Sequence, residues 1–242
     1  MSGKDNIYEQ QDAGPGSFEF NAAVADVFPD MLRRSIPGYD ASLTAITALA
    51  RRHVTAGSRG YDHGCSLGAA TLAMRRGVVA EDCDIVAVDL APAMVERCRE
   101  IVAADDGSTP VEVIERDVRE VPIENASMVV MNYTLQFIDP GDRAALVRGI
   151  ATGMRPGGVF VLSEKVAHED SEIDALLVEL HHDFKRSNAY SDLEIARKRA
   201  AIENVLVPET TGAHLARLRD AGFRHCDVWM KHLNFVSIVA IR

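Results

Sequence analysis

The residues best suited to chemistry in this chain are a glycine loop and three polar side chains that follow it at the ends of successive strand-like segments. The loop is Tyr61-Asp62-His63-Gly64-Cys65-Ser66-Leu67-Gly68, set between a strand-like segment and the helix-like run Ala69 to Arg76. Two glycines there let backbone approach a ligand, and the free N–H groups of the helix terminus face the same point. A tight turn without a ligand is the plainer alternative. No Lys-Ser or Lys-Thr follows Gly68, which excludes a phosphate loop of the GxxxxGK[ST] kind. Asp89 ends the next strand-like segment, Asp84 to Asp89, about 20 positions after Gly68, the spacing expected of a carboxylate gripping ribose hydroxyls. Asp117 and Asn132 close two further strand-like segments. Asp117 can accept from an adenine amino group or be a solvated turn carboxylate. Groups at four strand ends (Gly64 and Ser66, Asp89, Asp117, Asn132) suit a nucleoside better than a dinucleotide, which would also need donors for a pyrophosphate.

These positions make sense only if parallel strands hold them along one edge. From Gly60 onward, strand-like and helix-like segments alternate, which predicts an α/β, doubly wound, mostly parallel sheet with helical crossovers. The expected strands end at Asp62 and Asp89 and span Val111 to Ile114, Ser127 to Met131 and Val159 to Ser163. A helix opens at Ala91-Pro92 and runs to about Ala104, and Asp139-Pro140 caps another that ends at Met154. Cys226 to Met230 and Asn234 to Ile241 should form a hairpin that adds an antiparallel C-terminal strand. Asn21 to Arg34 and Ser42 to His53 read as N-terminal helices separated by Pro37-Gly38-Tyr39-Asp40. Two more, Asp170 to Arg186 and Ser191 to Asn204, form an insertion at about 170–204, before a last helix from Thr211 to Ala221. Residues 1–18 lack apolar periodicity and are expected to be a mobile tail, leaving 19–242 as a single domain.

Composition narrows the function. A chain of 242 residues, 47% hydrophobic, can bury one substantial core. A net charge of −10 argues against direct nucleic-acid binding, and any anionic small substrate must be met by a local basic cluster. The four cysteines, Cys65, Cys83, Cys98 and Cys226, show no CxxC pairing and read as reduced thiols. The N-terminus lacks an apolar signal core and no stretch approaches a membrane span, so the expectation is a cytoplasmic protein with no membrane contact. Adjacent helix positions point roughly 100° apart, so His181-His182-Asp183 is not read as a metal site, and no metal is expected. Arg197-Lys198-Arg199 is either a solvated helix face or, by its place in the insertion, a functional cluster. Tyr39 can reach a ligand or pack at a helix junction, and sequence pattern favours packing.

The run Asp62-His63-Gly64-Cys65-Ser66-Leu67-Gly68-Ala69-Ala70-Thr71 resembles the first motif of class I S-adenosylmethionine-dependent enzymes, which have a Rossmann-like fold. The likeness is closer to the carboxy-S-adenosyl-L-methionine synthase family. Phe28-Pro29-Asp30-Met31, Ser35-Ile36-Pro37-Gly38-Tyr39, Leu135-Gln136-Phe137, His181-His182-Asp183-Phe184-Lys185-Arg186 and Tyr190-Ser191 are similar to that family's segments, as is Ile123 to Val130. The resemblance runs from about Phe18 to the C-terminus. It implies that Tyr39, Gly64, Cys65, Ser66, Asp89, Leu90, Asp117, Val118 and Asn132 bind S-adenosyl-L-methionine. Arg199 would bind there too, as the catalytic candidate holding the carboxylate that distinguishes the product. His63, Gly60 and Leu90 depart from the family's usual residues.

The reaction the resemblance implies moves carbon dioxide from prephenate onto the sulfonium methyl carbon, leaving phenylpyruvate. The product would serve a tRNA carboxymethyltransferase that modifies wobble uridine, and the family's homodimer is expected through Leu176, Leu177 and Leu180. The competing expectations are an ordinary small-molecule methyltransferase and a non-catalytic carrier of the same ligand.

Overall fold

A computed structural model describes residues 3–5, 7, 19–202 and 205–242. Eight strands form a sheet whose main path runs β3-β2-β1-β4-β5-β8-β7, with short β6 paired to β5. β1 (Arg59–His63), β2 (Asp84–Asp89), β3 (Val111–Glu115), β4 (Ala126–Asn132) and β5 (Met154–Ala167) are parallel neighbours along this path. β6 (Glu209–Thr210) joins β5 in parallel, and β7 (His225–His232) and β8 (Phe235–Ile241) add an antiparallel pair. The chain order reverses between β1 and β4, which opens a crevice at their carboxyl ends.

Interior strand residues are apolar on both faces because helices cover both. On one side Ile46 and Ala50 of α2 (Tyr39–His53) and Ala70, Ala73 and Met74 of α3 (Ala69–Gly77) pack on Met128, Val130, Val159 and Val161. α4 (Pro92–Ala104) adds Cys98 against Ala87. On the other side Leu146, Val147 and Ile150 of α5 (Pro140–Gly153) and Leu218 of α8 (Thr211–Asp220) cover Val129, Met131, Phe160 and Leu162. The predicted caps form: Asp139 accepts the Gly141 N–H, and Pro140 and Pro92 occupy first turns. α1 (Ala22–Ser35) begins where Asn21 accepts the Val24 N–H, and it buries Val24, Val27, Phe28 and Met31 at helical spacing.

Several elements differ from the sequence expectation for definable reasons. Tyr39 and Asp40 lie in the first turn of α2, because Gly38 at φ 80° makes the whole bend. β5 is much longer than Val159 to Ser163: Arg155-Pro156-Gly157-Gly158 belongs to it, and it continues through Glu164 and Lys165 along β8. β6 was not legible in two residues. The insertion forms α6 (Ser171–Ser187), capped by Asp170, and α7 (Asp192–Ile202); Asn204, its expected end, lies outside the described residues. Most of the segment expected to be a mobile tail also lies outside them. Its described residue Asp5 is buried, with its N–H on Asp30 and its carboxylate taking bonds from the Tyr190 hydroxyl and Lys198 Nζ. Gly60 admits close approach of α3, since a Cβ there would overlap Met74 Sδ.

Candidate functional site

The glycine loop turns sharply out of β1. Gly64 (φ 82°), Ser66 (φ 49°) and Gly68 (φ 82°) are all left-handed, while Gly64 and Cys65 donate to Val88 O at 2.8 and 2.9 Å. A Cβ on Gly64 would overlap the Thr134 hydroxyl and methyl, so only glycine lets the loop lie against the end of β4. The Cys65 side chain packs inward on Ala87 and Cys98, leaving its backbone at the crevice.

Asp89 holds this loop in place. Its Oδ2 accepts the Ser66 N–H at 2.8 Å and its Oδ1 accepts the Ala91 N–H at 2.9 Å, which joins the loop to the start of α4. Burial raises its pKa, opposed by those N–H groups. Each carboxylate oxygen keeps a further lone pair for a ribose hydroxyl. Leu90 beside it is 64% exposed, an apolar surface against which a base could lie. Asp117 caps the 3-10 turn Val118–Glu120 by accepting the Arg119 N–H and is gripped by the Arg119 guanidinium, with Nη2 at 2.6 Å. That pairing holds its carboxyl below the usual range. An adenine amino group would therefore have to share Asp117 with Arg119. Val118 is buried in the core.

At the switch point several buried polar atoms have no partner among the described residues: Asp62 Oδ1, both His63 ring nitrogens, Asn132 Oδ1 and the Tyr133 hydroxyl. They cluster at the ends of β1 and β4. Buried polar atoms are ordinarily satisfied, so this concentration fits a polar ligand or water. Asp62 is the member the sequence reading missed as a binding residue. It is fully buried, its Oδ2 accepts the Thr71 hydroxyl at 2.6 Å, and burial pushes its pKa up to about 7, with the Thr71 bond opposing. Its place two residues before Gly64 was the available signal. Burial also lowers His63 to about 4, so the ring is neutral.

Tyr39 meets the crevice from α2. Its ring lies 6.4 Å from that of Tyr133, which packs edge-on against Phe235, whose ring in turn meets His181 at 4.9 Å. Tyr39 packs in this aromatic cluster, and Asp62 is close enough to raise its pKa further, after burial. Glu164 and Arg143, neither legible as buried groups, hold the turn after Tyr133. Glu164 accepts the Leu135 and Gln136 N–H groups at 3.0 and 2.9 Å, and Arg143 donates to Ile138 O and Gln136 O.

Gly64, Cys65, Ser66, Asp89, Leu90 and Asn132 are thus brought to one crevice, with Asp117 and Val118 at its β3 side. Arg199 is placed apart from them, exposed on α7 in a 440 Å³ cavity lined also by His168, Asp174, Val178 and Glu179. Its charge is felt by Lys165, His182 and Lys185. His181 and His182 diverge as expected: His181 Nε2 lies 2.8 Å from Ser35 O, and His182 faces Glu179 at 3.6 Å.

A methyltransferase-domain family matches residues 61–158. Over 239 residues the chain is 52% identical to carboxy-S-adenosyl-L-methionine synthase of Photorhabdus laumondii, covering 99% of this chain and 95% of that one. It is 50% identical over 242 residues to the synthase of Klebsiella pneumoniae, covering 100% and 98%. The chain belongs to the carboxy-S-adenosyl-L-methionine synthase family. The match extends through α6 and α7, beyond the methyltransferase-domain residues.

Solved structures share the fold at low identity. An O-methyltransferase family protein of Burkholderia thailandensis superposes with TM-score 0.65 at 17% identity, over 92% of this chain and 60% of that one. Human N-acetylserotonin methyltransferase, solved with S-adenosylmethionine, does so at 0.62 and 18%, over 91% and 59%. This chain spans about three-fifths of each.

Proposed function

We propose that this protein carboxylates S-adenosyl-L-methionine, with prephenate as the carboxyl source, giving carboxy-S-adenosyl-L-methionine, phenylpyruvate and water. The observation that carries the reading is near-complete alignment at about half identity with synthases, through the helices outside the shared methyltransferase core. The crevice supports a nucleoside-bearing substrate: a glycine loop that excludes side chains, a carboxylate at Asp89, and unpartnered polar atoms at Asp62 and Asn132.

In the reaction, the ring carboxyl C–C bond of prephenate breaks and hydroxide leaves the ring, which becomes aromatic. Hydroxide takes a proton from the methyl group beside the sulfonium, giving water and an ylide carbon. That carbon forms the new C–C bond with carbon dioxide. The ylide must meet carbon dioxide before a proton, so water has to be kept out. The buried Tyr39, Tyr133 and Phe235 side chains form an apolar wall suited to this.

Arg199 is the candidate partner for the new carboxylate, by family resemblance. The exposed stripe Ile173, Leu176 and Leu180 on α6 supports a homodimer through that helix. Free thiols at all four cysteines are consistent with the cytoplasm, where the product would pass to a tRNA carboxymethyltransferase. Incubating the protein with S-adenosylmethionine and prephenate tests the reading. It predicts a species heavier than S-adenosylmethionine by one carbon dioxide, together with phenylpyruvate. S-adenosylhomocysteine and a methylated acceptor instead would identify a small-molecule methyltransferase.

A further inference from the structure

Where β5 runs past the end of β4, the sheet presents a cationic cluster that the glycine-loop crevice does not use. Asn132 pairs with Ser163, and Lys165 two residues on pairs with Phe235 of β8. Ser163, Lys165 and Phe235 therefore share one face, the face on which Ser163 and Ser237 hydroxyls meet at 2.9 Å. Phe235 joins Tyr133 and Tyr39 in one apolar cluster, so Lys165 stands beside a wall that continues to the crevice.

On α6 the His181 ring meets Phe235 at 4.9 Å, and Lys185, one turn on, lies on the same helix face; with Arg199 of α7 it brings two more positive charges close enough to act on Lys165 or on each other. Lys198 is nearby but is matched by Asp5 at 3.3 Å. Lys165, Lys185 and Arg199 have no carboxylate at ion-pair distance among the described residues. Asp174, the one acid acting on Lys165 among the described residues, has its Oδ1 on the His168 N–H. Burial, then neighbouring cations, lowers Lys165 and takes Lys185 down to about 7.

Asp174 and Glu179 line the cavity with Arg199, but neither forms an ion pair with the three cations among the described residues, so gathering these charges in a half-buried place is a cost to folding. A cluster of this kind is suited to an anionic ligand. An aromatic wall on one side and separated cations on the other fit a ligand with an apolar ring and more than one carboxylate. The Tyr133 hydroxyl, buried and unpartnered, is a donor on the same wall.

We propose that Lys165 and Lys185, with Arg199 at the rim and the Tyr39, Tyr133 and Phe235 rings as its wall, form the binding site for a ring-bearing dicarboxylate, the second substrate. This rests on the reading that the chain takes a dianionic carboxyl donor. Lys165 and Lys185 hold the two carboxylates while the ring lies on the wall, pointing the departing carboxyl toward Asn132 and the crevice.

The test titrates prephenate, and separately the unreactive ring dicarboxylate isophthalate, into wild type, Lys165→Met and Lys185→Met, each saturated with S-adenosylhomocysteine. Each variant should lose about tenfold or more in prephenate affinity while S-adenosylhomocysteine affinity is unchanged. Thermal melts without dicarboxylate should show both variants at least as stable as wild type, because a repelled cation has gone. Unchanged prephenate affinity in both variants overturns the site. If wild type carboxylates S-adenosylmethionine from prephenate in that case, the functional reading stands alone. If wild type binds isophthalate but not prephenate, and either substitution abolishes that binding, the site stands and the prephenate reading falls. Binding of neither compound overturns the site.

Discussion

Replacing Asp89 separates a ligand contact from a structural strut. The sequence spacing reads Asp89 as a ribose acceptor whose loss would spare the fold. The structure adds that both carboxylate oxygens already accept backbone N–H groups, Ser66 at 2.8 Å and Ala91 at 2.9 Å. Bonds to a charged acceptor contribute about 1.5–3 kcal/mol each, and water takes over part of that at a half-buried site. Asp89→Ala should therefore cost about 1.5–3 kcal/mol in total, lowering the melting temperature by about 3–12 °C. S-adenosylmethionine affinity should fall about tenfold or more, because the loop and the hydroxyl acceptor are lost together. Asp89→Asn should be no better, since its amide NH2 must face one of two N–H donors. Denaturant melts and calorimetry on the same preparations measure both effects. Wild-type stability in Asp89→Ala with lost affinity would refute the strut and return Asp89 to a ligand contact alone. Lost stability with retained affinity would remove it from the site.

Other substitutions probe the remaining parts. Gly64→Ala forces an alanine into left-handed backbone, about 1–2 kcal/mol, and against Thr134, about 1–3 kcal/mol more, so a melt within error of wild type would contradict the cradle. Asp62 has its pKa raised to about 7, so its contribution to stability is present below its unfolded value and is lost as pH rises through 7. A cationic ligand reverses this by favouring the charged form, so S-adenosylmethionine affinity should rise with pH through about 7, and Asp62→Asn should flatten the profile. Arg199→Ala should weaken carboxy-S-adenosylmethionine about 30-fold or more and S-adenosylmethionine much less, and equal losses would place Arg199 on the shared scaffold. Leu176→Asp with Leu180→Asp should convert a dimer to a monomer in light scattering, whereas an unchanged mass would move the interface off α6.

What the sequence made legible was whatever repeats or terminates. Alternating strands and helices gave the parallel sheet, and strand ends gave Gly64, Asp89 and Asn132, because in this topology those ends must face one edge. The proline and aspartate caps located α4 and α5 for the same local reason. Buried charge was not legible. Glu164 holds N–H groups 28 and 29 positions away, Arg143 pairs with Glu209 and Val207 O 66 and 64 positions away, and Lys198 meets Asp5, whereas residue type alone reads all three as solvent-exposed. Asp5 fell in a stretch without periodicity, yet it is buried because Lys198 reaches it from α7 and Tyr190 from the loop between α6 and α7. The length of β5 was hidden because a Pro-Gly-Gly run reads as a turn, although β8 continues the ladder beyond it. Arg199 was singled out by resemblance, and the fold sets it on the rim with Lys165 and Lys185, whose grouping requires β5, α6 and α7 to be folded together.

The central claim is that a carboxyl group from the second substrate becomes bonded to the sulfonium methyl carbon. Its most direct test uses prephenate carrying carbon-13 in the ring carboxyl, with S-adenosylmethionine deuterated on the methyl group, followed by mass analysis of the nucleoside product. The account predicts carboxy-S-adenosylmethionine that keeps the carbon-13, has lost one methyl deuterium and forms in step with phenylpyruvate. A product lacking the label, or full transfer of the deuterated methyl group to an acceptor, would contradict it.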